Sequence, residues 1–303
     1  MCVPFFVAAL LFGGCALPSA HAADSEPRLG TALLWSLIPG AGHIYLGDTG
    51  TGLAYAGLTA TFLAGAVEVD RRNDDLGRGD EVNVPLLLAD KVWEYSIFTT
   101  ARSALEKDGV DLRARRFDDT PTSGLLSAPF GRQALRPEVW GAALLGVAVG
   151  AAAAHHRDGG RLIDVERVRM LGATYDRDEA TALYGASAFG VSLGAATAEE
   201  GLFRGLAQPW VQEDLGEVRG RWAVAGAFGV AHLVGLDGDW NVGGALFATA
   251  AGGYLGWLYD RDGARLAGPI AAHFWYDFAL LGTLWAMEPD ETPFGFEVEF
   301  GFQ

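Results

Sequence analysis

Three polar sets in an otherwise apolar C-terminal half carry residue types able to do chemistry. They are Ala198-Glu199-Glu200-Gly201-Leu202-Phe203-Arg204, Phe228-Gly229-Val230-Ala231-His232 and His273-Phe274-Trp275-Tyr276-Asp277. On a helix Glu200 and Arg204 stand at i,i+4, so they share a face and neutralise each other. Glu199 is turned about 100° from Glu200, so it can point elsewhere, into a cavity. A carboxylate withdrawn from water beside a second acid takes up protons readily, which suits a general base. Phe228 and His232 repeat the spacing, with Gly229 between them to let another helix come close. His273 and Asp277 repeat it again, and a carboxylate one turn from an imidazole orients its ring or shares a proton or metal with it. Singly, each set also reads as structure: an ion pair as glue, a core histidine as a satisfied donor, His–Asp as an ordinary hydrogen bond. Together they bring two carboxylates, two histidines and a further acid, which is what activating a water and stabilising a tetrahedral oxyanion requires.

The rest of the composition narrows the choice. The two cysteines, Cys2 and Cys15, both sit near the N-terminus, so no cysteine cage or disulfide framework exists beyond them. A formal charge of −16 over 303 residues excludes a sequence-independent grip on nucleic acid, which needs clustered cations. His43, in Pro39-Gly40-Ala41-Gly42-His43-Ile44-Tyr45-Leu46-Gly47, reads as a structural histidine beside a glycine turn. His155-His156, just before Arg157, reads as an interfacial pair and not a ligand set.

The elements that must position these residues are long uncharged runs. Residues 1–22 read as a signal peptide, apolar from Val3 to Leu17 and with Ala20 and Ala22 before the cleavage point, or as an uncleaved first membrane helix. Later runs recur at 29–47, 49–67, 139–156, 180–198, 222–236, 240–259 and 266–287. Crossing a hydrocarbon core takes roughly 20 helical residues. The expectation is an all-α, polytopic transmembrane bundle of about seven membrane-embedded helices, packed through alanine and glycine. It divides into a signal peptide (1–22), a membrane hairpin (23–68), an extramembrane or interfacial region (69–138), a bundle (139–288) and a tail (289–303). Pro85 to Leu105 looks helical, and Phe294, Phe296, Val298, Phe300 and Phe302 alternate as in a strand. Arginine-rich loops at 157–169, 219–221 and 261–265 all suit the cytoplasm, which conflicts with one crossing per run and leaves sidedness open.

The ordered motifs Glu199-Glu200…Arg204, Phe228…His232 and His273…Asp277 resemble those of the CPBP (Abi) family of intramembrane proteases, which includes the CAAX prenyl proteases. The resemblance covers about residues 180–287. It implies an integral membrane endopeptidase, in a bacterial-type inner membrane, acting on a protein or peptide substrate among membrane lipids. Carried over by position, Glu199 is the general base on water with His232 assisting. His273 and Asp277 polarise the substrate carbonyl and steady the oxyanion, while Glu200, Arg204 and Phe228 support the first two helices. Asp277 stands where prenyl proteases of the family have Asn, although Asp also occurs there. An ionised carboxylate cannot donate, so Asp277 carries a proton, orients His273 or belongs to a metal site. Glu199, His232 and His273 would make a His₂Glu set suited to zinc, but the spacing does not demand a metal. The rival readings are a non-catalytic scaffold or immunity-type interaction protein of the same fold, and a transporter using the buried acids as a proton relay.

Overall fold

Proline and glycine punctuate the N-terminal region, and the helices begin and end at them. In a computed structural model, which describes residues 28–74, 83–154, 162–234, 240–289 and 297–300, α1 (Arg28–Trp35) stops before Pro39-Gly40. Gly40 adopts φ 78° and opens α2 (Ala41–Tyr45), where a side chain would overlap the carbonyl of Gly52. There follow α3 (Thr49–Asp74), α4 (Val84–Lys107), α5 (Thr122–Leu126), two 3₁₀ turns at Ala128–Phe130 and Arg132–Leu135, and α6 (Pro137–Ala154). A β-hairpin, β1 (Val165–Met170) and β2 (Ala173–Asp176), precedes α7 (Arg177–Leu202). A π-helical turn (Phe203–Ala207) joins α7 to α8 (Gln208–Leu215), with helical dihedrals at Leu202, Ala207 and Gln208. The chain ends with α9 (Glu217–Ala231), α10 (Val242–Arg261), α11 (Ala267–Met287) and β3 (Glu297–Phe300).

The expected helical architecture is present, with one addition and one difference. The addition is a three-stranded antiparallel sheet of order β2-β1-β3. Leu171 and Gly172, with φ of 52° and 73°, make the two-residue turn of its hairpin. The alternating tail supplies β3, whose Val298 pairs with Val168. The difference is in the spans. Among the described residues two helices are long and apolar enough to cross a membrane, Thr49–Asn73 and Pro137–Ala154, where about seven were expected. Of the other runs, 29–47 and 222–236 form helices too short for a crossing, while 180–198 and 240–259 are diluted by alanine and glycine and 266–287 carries His273 and Asp277. The signal peptide, both cysteines and His155-His156 lie outside the described residues.

The chain forms two units. The first gathers the described residues up to Thr59, Val92–Thr122 and Thr197–Pro269. Within it His43 is buried: its Nε2 lies 2.9 Å from Thr99 Oγ1 and its ring stacks on Tyr55. The segment after α4 is fastened by Arg116, which reaches Asp260 (3.0 Å) and Glu217 (3.2 Å), and by Asp118, which accepts from Leu266 N and Arg265. The second unit gathers Ala60–Lys91, Ser123–Ala196 and the chain from Ile270. Its core packs Val84, Val168, Met170, Tyr184 and Trp285 together. There α6 lies directly on α11, for a side chain at Gly146 would overlap the Tyr276 carbonyl.

Candidate active site

In the first unit the site is built where α7 runs into the π turn. Glu200 and Arg204 form an ion pair of 2.9 Å with both side chains 0% exposed. Arg204 is held on two further sides: Nη2 donates to the Gly252 carbonyl at 3.0 Å, and the guanidinium lies 4.4 Å from the centroid of the Phe228 ring. The pair thus ties α7 to both α9 and α10. Gly252 permits this, since a Cβ there would stand 3.1 Å from Arg204 Nη2 and 3.2 Å from the Phe228 ring.

Polar groups continue along the same helical face. Gln208 Nε2 donates to the Gly256 carbonyl and Gln212 Nε2 to Asp260, each at 3.0 Å. The sequence separation is 48 in the Arg204–Gly252, Gln208–Gly256 and Gln212–Asp260 bonds, so α8 and α10 run parallel in fixed register. Gln208, Gln212 and Asp260 escaped the sequence reading. Their signal was present in the spacing of Glu200, Arg204, Gln208 and Gln212 at successive intervals of four, matched by Gly252, Gly256 and Asp260.

Glu199 points to α9. His232 caps that helix at φ −100°, and its Nδ1 lies 2.8 Å from the Phe228 carbonyl. A carbonyl only accepts, so Nδ1 carries the proton, and in the neutral ring Nε2 presents a lone pair. That nitrogen faces Glu199 Oε2 at 3.8 Å, with the His232 side chain 40% and the Glu199 side chain 13% exposed. Two acceptors at that separation suit a water that donates to both. Phe228 sets the ring: it packs at 4.4 Å between centroids against His232 and edge-on to Phe203 at 5.0 Å.

In the second unit His273 Nε2 lies 3.3 Å from Asp277 Oδ2, one turn along α11. The intervening residues anchor the helix. Trp275 Nε1 donates to the Pro129 carbonyl at 2.9 Å, and Phe274 meets Phe130 and Phe189 edge-on. Tyr184 on α7 donates to the Leu281 carbonyl and stacks on Trp285 at 4.4 Å. Asp277 therefore lies within reach of the His273 ring.

The site residues therefore fall into a Glu199–His232 pair and a Glu200–Arg204–Phe228 cluster in the first unit, and a His273–Asp277 pair in the second. Among the described residues no three His, Cys, Asp or Glu side chains gather into a set able to hold a metal ion. Within the first unit Glu199 and His232 offer two donors, one short of the three protein ligands a catalytic zinc takes. Taken alone, the first unit's described donors are thus incomplete for the zinc centre that the resemblance allowed.

Residues 181–279 match the family model described as type II CAAX prenyl endopeptidase Rce1-like. The match spans all three motifs and bears out the resemblance read from them. No curated protein and no solved structure matches the chain.

Proposed function

We propose that this chain, through its Rce1-like domain, is a membrane-embedded endopeptidase of the CAAX-protease type that hydrolyses membrane-associated peptides. The observation that carries the reading is the Glu199–His232 pair: a carboxylate and the lone pair of a fixed imidazole tautomer, 3.8 Å apart and open on the histidine side. A water donating to both becomes a stronger nucleophile as either takes its proton. Its oxygen attacks the scissile carbonyl, the C–N bond breaks, and the proton passes to the departing amine. The family resemblance, and not the placement of the two pairs, assigns His273, with Asp277 beside it, to the developing oxyanion. Glu200 and Arg204 touch no reacting atom in this scheme and hold the helix that carries Glu199.

Reconstituted protein incubated with a farnesylated, fluorogenic CAAX peptide provides the direct test. E199Q and H232A should each abolish cleavage while the protein folds and inserts normally. Comparison of membrane proteomes with active and E199Q protein should reveal a new terminus only with the active form. Cleavage retained by E199Q would remove the assigned base, and a chain inert in both assays would revert to the scaffold reading. Metal content of the purified protein, and cleavage with a chelator present, separate a zinc-dependent reaction from a metal-free one.

A further inference from the structure

Helix α4 lies outside the matched segment, yet its residues from Val92 belong to the same unit as Thr197–Pro269. One of its side chains packs directly on that segment. Phe98, buried to 1% exposure, fills the notch between Gly201 and Gly205. A Cβ at Gly201 would stand 2.8 Å from its ring, and one at Gly205 would stand 2.7 Å from the ring and 3.1 Å from Leu266. These glycines flank Arg204 and bracket the start of the π-helical turn. A π turn forfeits regular helical bonding and persists only where its surroundings determine it. Here Phe228 and the Gly252 carbonyl hold one side of the turn through Arg204, and Phe98 backs the glycine side.

Phe98 is itself braced. Arg102, one turn along, lies 5.5 Å over its ring and donates to the Thr120 carbonyl at 2.6 Å. Tyr95 packs 5.8 Å away on the preceding turn, and neighbouring Thr99 meets His43. The brace thus reaches the His43 turn and the segment after α4.

We infer that Phe98 is a positioning residue for Glu199: its ring, wedged against Gly201 and Gly205, sets the rotation of the last turn of α7 and so the separation of Glu199 from His232. This rests on the endopeptidase reading for its effect on rate but not for its geometry. Glu199 is two residues before Gly201, so a helix that rolls into the space left by the ring swings the carboxylate away from Nε2. A misplacement of about 1 Å costs on the order of 100-fold in rate.

The experiment uses full-length protein and two readouts. In the first, F98A should lower kcat on the farnesylated reporter by about 100-fold, with KM unchanged within about twofold. F98L should recover most of that loss. G201A should mimic F98A, and F98A/G201A should lose less than the product of the singles, since the methyl then occupies space the ring has left. In the second, E199C/H232C in a C2S/C15S background is bridged with a short bis-methanethiosulfonate, and the intramolecular product is quantified by mass spectrometry. Bridging should be efficient with Phe98, fall at least severalfold with F98A, and return with F98L. Unchanged kcat and bridging in F98A, or in F98L's smaller counterpart F98V if F98A does not fold, would overturn the inference. So would losses of kcat that merely track losses of folded protein. Bridging that responds to Phe98 in a protein that cleaves nothing would uphold the positioning and sink the endopeptidase reading instead.

Discussion

Replacing Arg204 tests the fully buried half of the site. Arg204→Met keeps the length of the side chain but removes its charge and donors. Glu200 then remains as a buried carboxylate without its guanidinium, the situation in which breaking a buried pair costs about 3–5 kcal/mol. The Gly252 carbonyl also loses a donor, worth about 1–3 kcal/mol when it stays buried. These contributions overlap, so the ion-pair figure alone is the safer floor. At about 2–4 °C per kcal/mol for a large domain, it corresponds to a fall in Tm of roughly 6–20 °C. The assay is thermal unfolding of purified protein in one detergent, with E200L and E200L/R204M alongside. E200L should fall by a similar amount, because it strands the guanidinium. The double variant should recover most of the ion-pair loss, since replacing both charges by apolar groups is often neutral, and retain only the deficit at Gly252. A Tm for R204M within about 2 °C of wild type, or a double variant less stable than either single, would refute the argument that desolvated charge governs this cluster.

Other positions give independent checks. Leucine at Gly146 should destabilise the protein strongly, because α11 backbone stands in the way, whereas leucine at Gly141 on the same helix, with nothing within 4 Å, should be tolerated; Tm reads both. Asp260, whose side chain is 3% exposed and meets Arg116 and Arg221, should cost about 3–5 kcal/mol as D260N in chemical denaturation. By contrast E213A breaks a pair with Arg115 whose side chains are about a third exposed (35% and 36%), and should cost under about 1 kcal/mol and less at high salt. Burial pushes the Tyr95 phenol up to about 12. The native state therefore holds that proton more tightly than the unfolded chain. Its contribution is full below about pH 10 and is lost as pH rises toward 12, a decline that Y95F should blunt in alkaline melting curves.

Much of the site was legible because its chemistry is local. The i,i+4 rule links Glu200 to Arg204 and His273 to Asp277, and both contacts are made within a helix. The strand at 297–300 was legible for the same reason, since alternation shows without a partner, although its pairing with β1 was not. The Pro39–Gly47 turn showed its glycines, and the structure supplies their reason in the overlap of Gly40 with Gly52. The number of spans was less legible, because an uncharged run does not show where a turn cuts its helix, as Pro39-Gly40 cuts 29–47.

The sequence by itself determined which residues are able to react and which helical faces they occupy, because a helix fixes side-chain direction from spacing alone. Tertiary structure decided what lies across from them: that Glu199 meets His232 Nε2 and not Nδ1, that Arg204 finds the Gly252 carbonyl, and that Phe98, from a segment without any motif, backs the turn carrying the acid. Such contacts join residues far apart in the chain. Their geometry depends on how closely glycines let helices approach, a quantity that no single segment encodes.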